Sequence, residues 1–257
     1  VSLADYRRYL SGGEPVSPVQ HELFDTERNI GIALDSVTGT TVAGKLYQAE
    51  YLRLRAGVAL AFEAECDIKP KGQQLLVDVL AHADAPQSLS FGGQQGVTGL
   101  RPQSTGLRLP DTAITTRHLR WTLLSPALFN AGWRPDWVAP DGAVMLPNAV
   151  RTPQMSRAQW KEVSAKAGGF DARLVAARIG KPLAFSGWDL HIGDTKPHTG
   201  GPKPTLLAVP AGSCYVFDCG TAAEAKVLAA TLSWPRPRST MHGEKGFGLG
   251  ICSSINL

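Results

Sequence analysis

Glycine and proline punctuate this chain from end to end. With 27 glycines and 18 prolines spread over 257 residues, it suits many short strands joined by ordered loops better than a bundle of long helices. The apolar residues agree with that reading, because Ile30, Ile32 and Leu34 alternate with Gly31, Ala33 and Asp35, the two-residue period of a half-buried strand. Val58, Leu60, Phe62, Ala64 and Cys66 repeat the alternation opposite Ala59, Ala61, Glu63 and Glu65. Hydrophobic residues make up 43% and charged residues 19% of the chain, enough to bury one large core or two small ones. The expectation is a mixed α/β fold.

Between the first of these strands and Lys45–Arg53, which also reads as extended, Thr38-Gly39-Thr40-Thr41 and Gly44 form a flexible connection, so a projecting hairpin is expected within residues 27–66. A short apolar element follows at Leu75–Leu80, then a glycine-rich Phe91-Gly92-Gly93-Gln94-Gln95-Gly96 and a polar loop to about Thr116. His118–Leu124 reads as a strand, and Leu174–Ile179, Leu206–Val209 and Ser213–Phe217 read as extended. Three helices carry terminal signals. Ser2 caps Leu3–Leu10 before Gly12 and Gly13; Ser156 and Gln159 form a capping box for Met155–Ala167; Thr221 and Glu224 form a second one for a helix to about Leu232. The order of elements is not the regular alternation of a doubly wound sheet, which argues against a dinucleotide fold.

Several function classes recede. No apolar run is long enough to span a bilayer, and the first residues, Val1-Ser2-Leu3-Ala4-Asp5, lack signal-peptide character, so a soluble, cytoplasmic protein is expected. The chain does not begin with Met, and a fragment of a longer protein is as good a reading as a natural start. Cys66, Cys214, Cys219 and Cys252 show no paired spacing and read as buried free thiols. Histidines at 21, 82, 118, 191, 198 and 242 form no ligand pair, so neither a metal nor any other cofactor is expected. No nucleophile elbow or other catalytic signature is present.

What remains are cationic, glycine-rich loops. A net charge of +4 permits an anionic partner without indicating one, so local clustering must carry the case. In Gly243-Glu244-Lys245-Gly246-Phe247-Gly248-Leu249-Gly250 the alternate glycines let backbone approach a ligand, with main-chain amides facing phosphates. A glycine-bearing edge strand or bulge is an equally good reading. Arg236, Arg238, His242 and Lys245 surround these glycines against Glu244 alone, and Phe247 is open to two readings, core burial or base stacking. A second cluster, Lys196 to Pro204, carries Lys196 and Lys203 and no acid; solvated loop charge is its plainer reading.

Glu27–Asp35, Thr38–Thr40, Gly44–Tyr47 and Glu50–Arg53 together resemble the thumb hairpin of RAMP proteins in CRISPR systems, most closely the third subunit of the type III-B Cmr effector complex. Phe91–Gly96, Gly187-Trp188-Asp189 leading to Pro202-Lys203-Pro204, Val209–Ser213 and the Gly243–Gly250 loop agree, in order, over nearly the whole chain. The resemblance implies an α+β fold of tandem ferredoxin-like (RNA-recognition-type) domains. Residues 1–116 would be the remainder of the first, with the thumb at 27–66, and residues 117–257 the second, with the glycine-rich loop. Much of the first strand and helix usual in the family is expected to be missing from this chain.

The function implied is that of a non-catalytic subunit that anchors the repeat-derived 5′ tag of crRNA and caps one end of the complex. Its neighbours would be the large polymerase-like subunit and the first backbone RAMP subunit, and it would neither cut target RNA nor make cyclic nucleotides. The RNA contacts implied are Arg28, Asn29, Lys45 and Tyr47 on the thumb, Gly92, Gly93 and Gln94, Lys196 and Lys203, and His242, Lys245, Gly246, Phe247 and Gly248. The alternative is a metal-independent RAMP endoribonuclease that processes repeat RNA, with His242 as general acid or base.

Overall fold

The computed structural model describes residues 2–13, 23–60, 87–90, 97–100, 112–152, 155–189 and 200–256. The chain divides into two compact units: residues 18–110, and residues 1–17 together with 111–257. The amino-terminal helix therefore groups with the carboxyl-terminal residues, a different partition from a cut after residue 116. The element expected at Leu75–Leu80 and the loops at 91–96 and 191–199 lie outside the described residues.

In the first unit, β1 (Phe24–Leu34) pairs antiparallel with β2 (Thr41–Leu54), giving the expected hairpin. Its turn is built by Asp35, whose Oδ1 accepts from the amides of Val37 (2.9 Å) and Thr38 (2.8 Å), while Gly39 takes a φ of +69°. These bonds also hold the Asp35 carboxyl below the usual aspartate range. The register slips between Ile32 and Leu34, with the extra residues on β2 and Gly44 among them at φ +76°. The ribbon ends sooner than expected. Gly57 at φ +79° and the Val58 N–H to Arg55 carbonyl bond (3.0 Å) turn the chain out after Leu54, so Val58–Leu60 is not a strand and the remainder to Cys66 lies outside the described residues. β3 (Gln87–Ser90) and β4 (Val97–Leu100) form a separate antiparallel pair.

The second unit is built on a four-stranded sheet. Its strands are β5 (His118–Leu123), β6 (Ala172–Arg178), β11 (Cys214–Cys219) and β12 (Gly250–Ser254), in the spatial order β12-β5-β11-β6, with every neighbouring pair antiparallel. Helix α2 (Arg157–Lys166) lies between β5 and β6 in the chain, and α3 (Ala222–Leu232) between β11 and β12. Alternation sends Leu119, Trp121 and Leu123 of β5 and Tyr215, Phe217 and Cys219 of β11 to one face. There they meet Ala225, Leu228 and Leu232 of α3 and Phe129, Val138 and Val144 from the segment after β5. Each fully buried Leu, Val or Phe among them contributes roughly 1.5–3 kcal/mol. Trp121 stands 5.4 Å from Tyr215 and 5.6 Å from Trp137, and its Nε1 donates to the Leu232 carbonyl.

α1 (Leu3–Leu10) covers part of the other face. The Arg120 guanidinium lies 4.2 Å over the Tyr9 ring and donates to the Tyr9 carbonyl (2.8 Å) and to Ser253 Oγ (3.2 Å), so a cation on a buried strand is satisfied from three sides. The two capping boxes differ. Ser156 and Gln159 exchange both bonds, whereas Thr221 Oγ1 accepts from Glu224 N and the Glu224 carboxylate accepts instead from Asp171 N (3.0 Å) and Asn148 Nδ2. α2 buries none of its residues.

A two-stranded ribbon is inserted between β6 and β11. β7 (Leu183–Phe185) pairs with β10 (Leu206–Ala208), and farther out β8 (Trp188–Asp189) pairs with β9 (Gly201–Pro202).

Candidate nucleic-acid interface

The glycine-rich loop folds as a short 3₁₀ turn, Gly243–Lys245, bracketed by left-handed residues: His242 at φ +59°, Gly246 at +84° and Gly248 at +76°. Its glycines serve the protein's own packing. A Cβ at Gly248 would overlap Ser239, and one at Gly250 would overlap the Trp121 indole. The amides of Lys245, Gly246, Phe247, Gly248 and Leu249 all donate inward, to His242 O, Gly243 O, His242 O, Pro126 O and Ser125 Oγ. For these five amides the expectation of facing phosphates is corrected, because each already has an internal acceptor.

Side chains of the loop converge on the inserted ribbon. The rings of Phe185, His242 and Phe247 lie 5.0–5.8 Å apart in tilted and edge-to-face arrangements, and all three are half-buried. Phe247 thus stands outside the main core cluster. His242 Nδ1 approaches Glu244 Oε1 at 3.6 Å, and Lys245 is exposed. Lys203 is exposed on the ribbon, where its amide donates to the Gly187 carbonyl (2.8 Å) and its carbonyl accepts from Ser186 Oγ (3.1 Å).

Arg236 and Arg238, read from the sequence as part of the positive loop, have another role. Arg238 donates through Nε and Nη2 to the Thr231 carbonyl, and Arg236 donates to the carbonyls of Ala230 and Arg151. They clamp the last turn of α3, whose terminal carbonyls have no helical donor. Burial, with Arg236 nearby, lowers the Arg238 pKa to about 10.

On the hairpin, Arg28, Asn29 and Lys45 are exposed and Tyr47 is half-exposed. They do not share one face. Asn29, opposite Ala49, and Tyr47, whose ring lies over Gly31, occupy one side, whereas Arg28 sits opposite Glu50 on the other and donates to it at 2.7 Å. Lys45 lies in the bulge of β2. Gly92, Gly93, Gln94 and Lys196 lie outside the described residues.

Phe185 carries no local sequence signal of its role; its partners on the loop follow it by more than fifty residues, and only the tertiary fold brings their rings together. Among the described residues no group of three or more His, Cys, Asp or Glu side chains could hold a metal ion. Cys214, Cys219 and Cys252 are free, and burial pushes the thiols of Cys219 and Cys252 up to about 12. Among the described residues no helix is long and apolar enough to cross a membrane.

Two solved structures are similar to this chain. One, a cryo-EM structure of the type III-B Cmr-beta bound to cognate target RNA, has a chain 17% identical, with 77% of this chain and 46% of that one covered and a TM-score of 0.33. The other, a cryo-EM structure of the type III-B Cmr-beta bound to cognate target RNA and AMPPnP in state 1, is 16% identical over 85% of this chain and 51% of that one, with a TM-score of 0.32. The chain therefore spans about half the length of the solved chains it matches. No curated protein matches it. The family model described as CRISPR-associated protein (Cas_Cmr3) matches residues 1–255, nearly the whole sequence, and the chain belongs to that family.

Proposed function

We propose that this protein is a non-catalytic RNA-binding subunit of a CRISPR type III-B effector complex. It anchors the repeat-derived 5′ tag of crRNA and caps one end of the complex, beside the large polymerase-like subunit and the first backbone RAMP subunit. Family membership over residues 1–255 supports the assembly. The RNA contact rests on one observation: Phe185, His242 and Phe247 gather within 5.0–5.8 Å beside the exposed Lys245, which joins aromatic surface to a cation as single-stranded RNA requires.

The β-α-β-β-α-β order of the second unit, with its first and third strands central, supports reading residues 117–257 as a ferredoxin-like domain. Residues 18–110 are then what this chain carries of the other domain, with the hairpin as its thumb. RNA-recognition domains of this shape stack bases on sheet aromatics. Here Trp121, Tyr215 and Phe217 face the core, and the opposite face carries Thr122 and Arg120, the latter under Tyr9 of α1. RNA is thereby directed to the loop, the ribbon and the thumb.

Recovering the protein from its host and identifying the RNA and polypeptides that accompany it tests the reading. RNA beginning with the repeat-derived tag is expected; an assembly in which that tag contacts only other subunits would overturn it. The endoribonuclease alternative draws on the His242–Glu244 approach. Specific cleavage of labelled repeat RNA in EDTA, abolished by His242→Ala, would replace the non-catalytic reading with that one.

A further inference from the structure

The two edges of the four-stranded sheet are finished differently. On the outer side of β12, Trp234 N–H donates to the Gly250 carbonyl (2.8 Å), Cys252 N–H donates to Ser233 Oγ (3.2 Å), and the Cys252 carbonyl accepts from Thr112 Oγ1. The outward groups of that edge are thus spent within the protein, which withholds it from other chains. At the opposite edge, β6 is sealed only where it begins. Val144 N–H donates to the Ala172 carbonyl (2.9 Å), and Leu174 N–H donates to the Gly142 carbonyl (2.8 Å), with Ala143 opposite Arg173. This stub of a fifth strand reaches no farther than Gly142, where a φ of +93° and the bond from Gly142 N–H to the Ala139 carbonyl (2.9 Å) carry the chain away. Past that point, among the described residues, the main chain of Val175–Arg178 has no hydrogen-bond partner other than β11.

A groove of about 700 Å³ lies beside the open length, lined by Leu174–Ala177 of β6 and, from the segment after β5, by Trp133, Arg134 and Asp141. The Trp133 backbone is fixed, because its carbonyl accepts from Tyr215 Oη (2.6 Å) and the pairing of Ala131 with Arg134 tightens its loop. Trp133 and Val175 both leave about half of their surface in solvent, at 49% and 51%. Among the described residues the lining carries one cation, Arg134, against one anion, Asp141, so it holds no charge excess that would draw a polyanion.

The unspent groups define the occupant. N–H and C=O groups alternating at strand spacing are both satisfied by another extended main chain, whereas phosphates would leave the carbonyls without donors. The open edge, Val175–Arg178, is only roughly 13 Å long, and a self-sufficient interface buries about 1,000 Å² or more. Its occupant therefore needs other contacts to hold it nearby, which favours a segment of a subunit already bound in the same assembly over a second copy of this chain meeting it freely.

We propose that the Val175–Arg178 edge of β6 takes an extended polypeptide segment from a neighbouring subunit, which pairs with it in line with the Gly142–Val144 stub and lays side chains against Trp133. The proposal rests on the reading of this protein as a subunit of a larger complex and assigns that subunit a docking edge.

Amide hydrogen exchange, measured on the full chain alone and in the complex recovered from its host, tests it. In the complex, the amides of Val175–Arg178 that exchange freely in the lone chain slow by roughly tenfold or more, and the slowing survives digestion of the RNA. Ala177→Lys, which sets a long charged side chain on the edge, removes that slowing while the core amides of β5 and β11 stay protected, so a failure to fold is recognised. A complex in which Val175–Arg178 exchanges as in the lone chain eliminates this edge and leaves the subunit reading standing. Slowing that disappears with the RNA makes the cover RNA, and slowing that appears in the lone chain as its concentration rises makes it a second copy; either overturns the proposal. A chain recovered in no complex removes both.

Discussion

Arg238 and Lys245 stand seven positions apart in one basic stretch of sequence, yet their environments separate them completely. Arg238 satisfies the Thr231 carbonyl at the end of α3 and is largely buried, whereas Lys245 is exposed on the loop. Arg238→Ala therefore leaves the Thr231 carbonyl without its side-chain donor and lowers unfolding free energy by on the order of 2 kcal/mol in denaturant titration. The salt dependence of RNA binding does not change in that variant. Lys245→Ala gives the reverse pattern, with unaltered stability and a log–log salt slope smaller by about 0.7.

Asp136 marks another residue-level dependence. Its burial alone would raise the carboxyl pKa, but bonds from Thr240 Oγ1 and the amides of Asn130 and Ala131 outweigh that and lower it. A carboxyl lowered in the fold contributes stability that is complete above the ordinary aspartate value and is lost as pH falls through the lower, folded value. The wild type should lose stability over that acid interval, and Asp136→Asn should lose less of it. Thermal melts from neutral pH downward would show the two curves converging; parallel curves would contradict the assignment.

At the scale of elements, the hairpin sets a contest between an ion pair and RNA. Arg28 donates to Glu50 at 2.7 Å with both side chains largely exposed, so the pair itself stabilises the ribbon by roughly 0–1 kcal/mol. If Arg28 contacts a phosphate, Glu50 competes for it. Glu50→Gln should then tighten RNA binding and steepen its salt dependence, while Arg28→Ala weakens and flattens it. Equal binding by both variants and the wild type would take that face of the hairpin out of the interface.

What was legible in the sequence at this scale was local. The β1–β2 hairpin, the Ser2 cap and the Ser156–Gln159 box depend on residues a few positions apart, and the structure reproduces them. The second box failed by half because Glu224 found Asp171 and Asn148, distant residues that no local motif announces. The same limit hid the clamp on α3, the placement of α1 over Arg120 and the meeting of Phe185 with Phe247. Each is decided by strand order, which brings β12 beside β5 from more than a hundred residues away.

For the whole molecule, the question is whether one RNA is gripped by both compact units. Lys45 belongs to the unit of residues 18–110, and Lys203 and Lys245 to the other. Counterion release depends on how many phosphates are neutralised, not on where along the chain the lysines lie. If a single strand runs over both units, Lys45→Ala flattens the log–log slope by about 0.7, and Lys203→Ala with Lys245→Ala by about 1.4. Combining all three then gives about 2.1, with affinity falling least at high salt. If only the loop and ribbon hold RNA, Lys45→Ala leaves the slope unchanged alone and in combination, and the hairpin must serve another partner. Titrations of the same single-stranded repeat RNA at several salt concentrations, with the three variants side by side, separate these cases without reference to how the two units are arranged.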